Sequence, residues 1–271
     1  MDAKNIHETG KINKKVKPLS YEEMPLAWKR IFFKTYPRFP KIKLTKIAPR
    51  TDLENLLLKR DSFREYKDKG ITLHQLSGLL RFGVGMKQDN YSNWDESRRT
   101  YPSGGARYPC ELYIAVLKSA DKKLPEGMYH YNFKQNALEV FKIKNLKSNI
   151  KNLTLHDFIN DSSALILISS VFSRTTVKYG NRGYRFALIE AGHIGQNIYL
   201  LAQEQNLGCC AIGGFLDDNM NSWLDLPEDE QIISGLTIGF KKNIKQFYKL
   251  PSSVTYDPLQ LKIAKKKNGK Q

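Results

Sequence analysis

The sequence is poor in cysteine, in long apolar runs and in paired metal ligands, and each shortage excludes a class of protein. Three cysteines in 271 residues, Cys110 and the vicinal Cys209 and Cys210, are odd in number and show no C-x-x-C spacing. Neither a disulfide framework nor a zinc site follows, so no metal is expected and a reducing cytoplasm is the better compartment. Apolar runs such as 164–168 are far too short to span a bilayer, and the N-terminus is polar, without a signal-peptide core. No G-x-G-x-x-G follows a strand pattern, no Walker loop is present, and the five histidines form no H-E-x-x-H. Nicotinamide-binding sheets, P-loop enzymes and zinc hydrolases are thereby set aside.

What is present is a globular composition, 41% apolar and 11% aromatic, with a net charge of +17. That charge is uneven: residues 1–50 hold 13 Lys/Arg against 4 Asp/Glu, residues 241–271 hold 9 against 1, and the remainder cancels. Basic ends on a neutral body read as solvated tails, and no nucleic-acid motif accompanies them, so nucleic acid is not expected as a partner. The expected organisation is a basic arm at 1–50, one domain at 51–250 and a basic tail at 251–271.

Along the chain, 20–33 is a short helical candidate. A helix from 51 to 60 carries Leu53, Leu56, Leu57 and Leu58, and Thr72 caps another with Leu73, Leu76, Leu79 and Leu80; both should be half-buried. Alternation at Leu112, Ile114 and Val116 predicts a strand, and 129–133 with 137–143 predict a hairpin turning at 134–136. Apolar continuity makes 164–169 a buried strand, and 235–240 is the last one. The longest helix, 184–206, puts Ala187, Leu188, Ala191, Ile194, Ile198, Leu201 and Ala202 on one stripe; Gly192 and Gly195 within it suggest close packing against another helix. Interspersed helices and a sheet with antiparallel pairs define the class as α+β.

Four segments could carry chemistry. In Arg60-Asp61-Ser62-Phe63-Arg64 an extended backbone would put Arg60, Ser62 and Arg64 on one side, a grip for phosphate or equally a solvated turn. Pro102-Ser103-Gly104-Gly105-Ala106-Arg107-Tyr108-Pro109 and, after Ile212, Gly213-Gly214 permit close backbone approach to a flat ligand, or are simply tight turns. Lys178-Tyr179-Gly180 precedes the long helix. Neighbours in sequence do not share a helix face, so both side chains can serve one site only from a loop or the start of that helix. A lysine ammonium there would favour a tyrosinate and make Tyr179 a candidate general base; the alternative is an exposed lysine beside a half-buried tyrosine.

Together with Ile6-His7-Glu8-Thr9-Gly10-Lys11, Gly183-Tyr184-Arg185-Phe186-Ala187 and Glu190-Ala191-Gly192-His193, these segments resemble the flavin-dependent nitroreductase superfamily, and within it the SagB-type dehydrogenases that oxidise azolines in ribosomal peptides. The resemblance implies a nitroreductase-like fold with a largely antiparallel sheet, an intertwined homodimer, and an FMN in each of two interfacial clefts. It assigns FMN phosphate and ribityl to Arg60, Ser62 and Arg64, a contribution across the interface to Pro102, Ser103, Gly104 and Ala106, and the ring edge to Ile212, Gly213 and Gly214. It makes Lys178 and Tyr179 catalytic, in removing an azoline proton as hydride passes to the flavin, which oxygen then reoxidises. A separate cyclodehydratase would supply the substrate; the alternative function is a stand-alone NAD(P)H-dependent nitroreductase or quinone reductase.

Overall fold

The computed structural model describes residues 3–15, 22–25, 32–87, 98–141 and 145–242, and the backbone of 254–256. In chain order these form α1 (Ala3–Gly10), β1 (Phe32–Lys34), α2 (Asp52–Lys59), α3 (Leu73–Gly83), a 3-10 turn (Gly104–Ala106), β2 (Cys110–Val116), β3 (Gly127–Asn132) and β4 (Ala137–Phe141). There follow α4 (Leu146–Leu153), α5 (Phe158–Asp161), β5 (Ala164–Val171), α6 (Ser173–Tyr179), α7 (Arg182–Glu204), β6 (Leu207–Ile212), α8 (Asp217–Trp223), β7 (Glu230–Phe240) and β8 (Val254–Tyr256). Two units are distinguished: Met1–Val16 with Arg50–Lys242, and Lys17–Pro49 with Asn243–Gln271. In the smaller one, β1 and β8 form a parallel ladder.

The larger unit is built on a six-stranded sheet in the order β4-β3-β2-β5-β7-β6, every neighbouring pair antiparallel. The side-chain period of two then sorts the core onto both faces. Leu112, Ile114, Ile166 and Ile238 face one side, where Leu76, Leu79 and Leu80 of α3 and Ala191, Ile194 and Ile198 of α7 cover them. Tyr113, Ala115, Leu165 and Leu167 face the other, under Ile150 of α4, Ile159 of α5 and Met220 of α8. The result is a three-layer sandwich of the α+β class expected from the sequence, with β5 buried from Ala164 to Ser170 because it lies inside the sheet. Among the described residues no helix is long and apolar enough to cross a membrane.

Local signals explain the element ends. Thr51 and Thr72 accept from the backbone N–H of Glu54 and Gln75, whose side chains return the bond, so α2 and α3 each open on a capping box. The β3–β4 hairpin turns through Asn136 at a φ of 48°. The helix expected at 20–33 is not found: 22–25 is a turn, 32–34 is β1, and the rest lies outside the described residues.

Three burial expectations are corrected. α2 fully buries none of its residues; Leu56 is half-buried, but Leu53, Leu57 and Leu58 are exposed among the described residues. Leu188 turns away from the core stripe of α7 and is 41% exposed. Among the described residues nothing lies within 4 Å of the place a Cβ would take at Gly192, and Gly195 meets Leu236 at 4.0 Å, so neither makes a helix contact there. The close helix approach is at Gly183 instead, where a Cβ would lie 2.7 Å from the Thr175 and Thr176 backbone of α6.

Candidate functional site

The Pro102–Tyr108 stretch is a strained turn. Gly105, Ala106 and Tyr108 all have positive φ, 62°, 54° and 45°, and for the two non-glycines such a conformation costs about 1–3 kcal/mol each. Hydrogen bonds hold it. The Ser103 hydroxyl accepts from Tyr108 N–H at 2.8 Å, Arg107 Nε donates to the Arg174 carbonyl at 2.7 Å, and Arg174 Nη1 donates to the Tyr108 carbonyl at 3.1 Å. Arg174 also pairs with Glu111 on β2. Burial alone would raise the Glu111 carboxyl, but His130 and Arg174 outweigh it and leave it below the ordinary range.

Arg174 belongs to α6, and so do Lys178 and Tyr179. The pair sits at the C-terminal end of this separate short helix, not at the start of α7; Gly180, at a φ of 55°, ends α6 and turns the chain. The paired bonds of Arg107 and Arg174 lay α6 against the turn. Both polar ends therefore converge on Gly105 despite their adjacency: a Cβ there would collide with Tyr179 Oη and lie 2.9 Å from Lys178 Nζ. Glycine suits this point for its positive φ and for the close approach of the two side-chain ends. The Tyr179 ring meets Phe186 of α7 edge-on at 4.8 Å, and Phe186 also covers Gly104.

Beneath the turn lies Glu190 of α7, 1% exposed. Neither carboxyl oxygen has a hydrogen-bond partner among the described residues. Burial pushes its pKa up to about 7, against the opposing pull of the Ser103 hydroxyl, the Arg99 guanidinium and Cys110.

A second cluster occupies the other end of α7. Ser62 bridges to Cys209 in parallel and Phe63 N–H donates to the Cys209 carbonyl at 2.8 Å, so 60–64 runs extended beside β6. Phe63 turns inward; the Arg60 guanidinium lies 5.4 Å from the Tyr199 ring centre, and Ser62 Oγ is 3.0 Å from Tyr199 Oη. Tyr199 Oη accepts from Ala211 N–H at 2.6 Å, and Arg64 lies beside the Cys210 thiol. Among the described residues neither Arg60 nor Arg64 is in an ion pair. Next to them a cavity of about 370 Å³ runs along Leu188, Gly192, Gln196, Tyr199, Ala211 and Ser234.

Of the segment after β6, Gly213 is open, with nothing within 4 Å of a Cβ position, whereas Gly214 packs on His156. Ile212 is a core side chain, 5% exposed, and can offer a ligand only its backbone. Pro102 and Ala106 are exposed, and Ser103 and Gly104 half-buried. The expected site residues thus fall into two clusters, at Glu190 and at Tyr199, nine residues or about 13 Å apart along α7. His7, singled out on α1, belongs to neither cluster's hydrogen bonds: it lies against Phe172 and Tyr184, with Nδ1 3.3 Å from Tyr184 Oη. Tyr199 is not singled out by sequence, and Phe186 stands in a segment that carries the resemblance but is given no role. Glu190 carried a signal, since an acid spaced with Ala187, Ala191 and Ile194 falls on a buried stripe.

Residues 57–240 match the model of the nitroreductase family. A nitroreductase-type protein of Methanocaldococcus jannaschii, MJ1384, is 32% identical over 177 residues, 65% of this chain and 85% of that protein. The microcin B17-processing protein McbC of Escherichia coli is 31% identical over 147 residues, 53% of each chain. The chain spans about half the length of the peptide-processing relatives it matches. In structure it is similar to a chain of the E. coli microcin synthetase McbBCD complex with truncated pro-MccB17 bound, at a TM-score of 0.68 and 23% identity over 89% of this chain and 92% of that one, a likeness of fold.

Proposed function

The chain belongs to the nitroreductase family of oxidoreductases, and on that premise we propose that it is an FMN-dependent enzyme oxidising thiazoline or oxazoline rings of a ribosomal peptide to azoles. The observation that carries this reading is the convergence of Lys178 Nζ and Tyr179 Oη on Gly105 of the positive-φ turn. Simple flavin reduction by a soluble donor has no need of a base and a cation delivered to one backbone point. Similarity to a microcin B17-processing protein supports the same direction, and a separate cyclodehydratase is the partner that would make such rings.

The residues fit FMN. Two arginines free of carboxylate partners among the described residues, with Ser62 between them, suit a phosphate, and the open faces at Gly192 and Gly213 leave room for a flat ring. Arg60, Ser62 and Arg64 would hold the phosphate; Ser103, Gly104 and the backbone at 212–214 would border the ring. When bound, FMN supplies a two-electron acceptor for the substrate's hydride. Tyr179 takes the ring-carbon proton at Oη, and Lys178 supplies positive charge beside it. The turn fixes both groups, so the substrate ring meets a preset pair.

The cleft is proposed to be shared by two subunits. In one chain the phosphate cluster and the turn lie at different ends of α7, and the apolar side chains of α2 and α7 between and around them, Leu53, Leu57, Leu58, Leu188 and Ile189, are exposed. A two-fold pairing that covers these would bring one subunit's phosphate cluster to its partner's turn. Mixing an Arg60→Ala, Arg64→Ala chain with a Tyr179→Phe chain tests this. Each parent is expected to be inactive, but one of the two clefts in every mixed dimer carries neither change, so an equimolar mixture should recover about a quarter of native turnover on a thiazoline peptide. A cleft made within one chain would recover none.

A further inference from the structure

Glu190 is a buried acid that the function above does not use, and its surroundings point to a task. Its polar and charged neighbours come from the segment before the turn, from the turn and from β2. Arg99 and Tyr101 precede the turn, Ser103 opens it, and Cys110 begins β2. Two of these are partly committed, although Arg99 Nε is itself buried without a partner among the described residues. Arg99 Nη1 donates to Tyr101 Oη at 2.7 Å and to the Cys110 carbonyl at 3.2 Å, and the Cys110 thiol is directed at the Ala187 carbonyl, 3.8 Å away. Ser103 is different. Its oxygen accepts from Tyr108 N–H, and its own proton has no acceptor among the bonds of the turn. Beside it stands a carboxyl with both oxygens unpartnered among the described residues. The Ser103 hydroxyl and the Cys110 backbone N–H both pull on this carboxyl, and a small carboxyl rotation completes the bond to Ser103.

We propose that Glu190 is a positioning residue that sets the hydrogen-bonding sense of Ser103 toward the cleft. Ionised, Glu190 takes the Ser103 hydroxyl proton; Ser103 then holds one lone pair for Tyr108 N–H and one for a donor in the cleft. Protonated, Glu190 donates to Ser103, both lone pairs are filled, and the hydroxyl proton is free for an acceptor in the cleft. The same side chain thus offers opposite chemistry to the edge of a bound flavin in the two states. The step moves one proton between solvent and Glu190 and needs no other reactant. That Ser103 faces flavin rests on the function proposed above; the coupling of Glu190 to Ser103 does not. Burial places the exchange near neutral pH, at about 7.

The test uses the full-length protein as purified and reads two signals across pH 5–9. The first is the infrared carbonyl band of a protonated carboxyl, assigned by its loss in Glu190→Gln. It should titrate near pH 7. Ser103→Ala removes the donor to the ionised form and should raise the midpoint by about one pH unit. The second is the visible spectrum of bound flavin, which should shift over the same range in the native protein and stay fixed in Ser103→Ala and Glu190→Gln. An unchanged infrared midpoint in Ser103→Ala would overturn the proposal, as would a flavin shift that persists in both variants. A colourless protein would defeat the flavin reading alone and leave the infrared comparison decisive, and if Glu190→Gln fails to fold, Glu190→Asp assigns the band by its displacement and Ser103→Ala still decides both signals.

Discussion

Tyr179→Phe is expected to keep flavin and dimer while lowering turnover on a thiazoline peptide by about 10²–10⁴-fold, the usual loss when a general base is removed. The substitution is clean in this structure. The ring that meets Phe186 edge-on at 4.8 Å stays, and only the oxygen facing Gly105 is lost, so the strained turn keeps its packing. Lys178→Ala should behave alike, because the exposed lysine contributes charge at that oxygen and little burial. Steady-state turnover and flavin absorbance on the same samples check both. Near-native turnover in the two variants would make the pair a structural end to α6 and remove the base from the mechanism.

The Arg60→Ala, Arg64→Ala double variant is expected to lose flavin. Each charge-assisted contact to phosphate contributes about 1.5–3 kcal/mol, so removing two weakens binding by about 10²–10⁴-fold. Stability should suffer far less. Arg64 is exposed and Arg60 only lies over the Tyr199 ring, while Phe63, Tyr66 and the Ser62–Cys209 bridge that hold the segment remain. The proposed shared cleft adds a second expectation, that the emptied protein dissociates more readily, since ligand bound across an interface stabilises the dimer by mass action. Gel filtration read at the flavin and protein wavelengths checks both. Full flavin retention would remove 60–64 from the site.

Much of this arrangement is legible in the sequence where the signal is local. Alternation at Leu112, Ile114 and Val116 and unbroken apolarity at 164–168 mark the sheet's interior strands, because a strand's period of two reports directly which faces are covered. Thr72 with Gln75 marks a helix start by a bond that spans three residues. β6 escapes because six residues with two cysteines, straight after a helix stop, present no period. α6 escapes because Thr175, Thr176 and Val177 are poor helix formers; α7 supports it through Gly183, contact that no window of sequence contains. The site follows the same division. The arginine-serine segment, the glycine turn and the lysine-tyrosine pair are contiguous and can be read. Tyr199 acquires its place only by meeting Ser62, 137 positions earlier, and Glu190 only by lying under Ser103. The leucines of α2 mislead for a related reason: their spacing announces a buried face, and among the described residues Leu53, Leu57 and Leu58 stay exposed.

The central claim is that this protein oxidises azoline rings in a peptide through its flavin, with Tyr179 and Lys178 as the proton-handling pair. Anaerobic flavin absorbance after mixing tests it most directly, because it follows the electrons before any acceptor intervenes. A thiazoline peptide should bleach the flavin in the native protein, with one thiazole formed per flavin reduced, and should do so at least about 100-fold more slowly in Tyr179→Phe. Rapid bleaching by NADH or NADPH, with no response to the thiazoline peptide, would contradict the account and identify a stand-alone reductase.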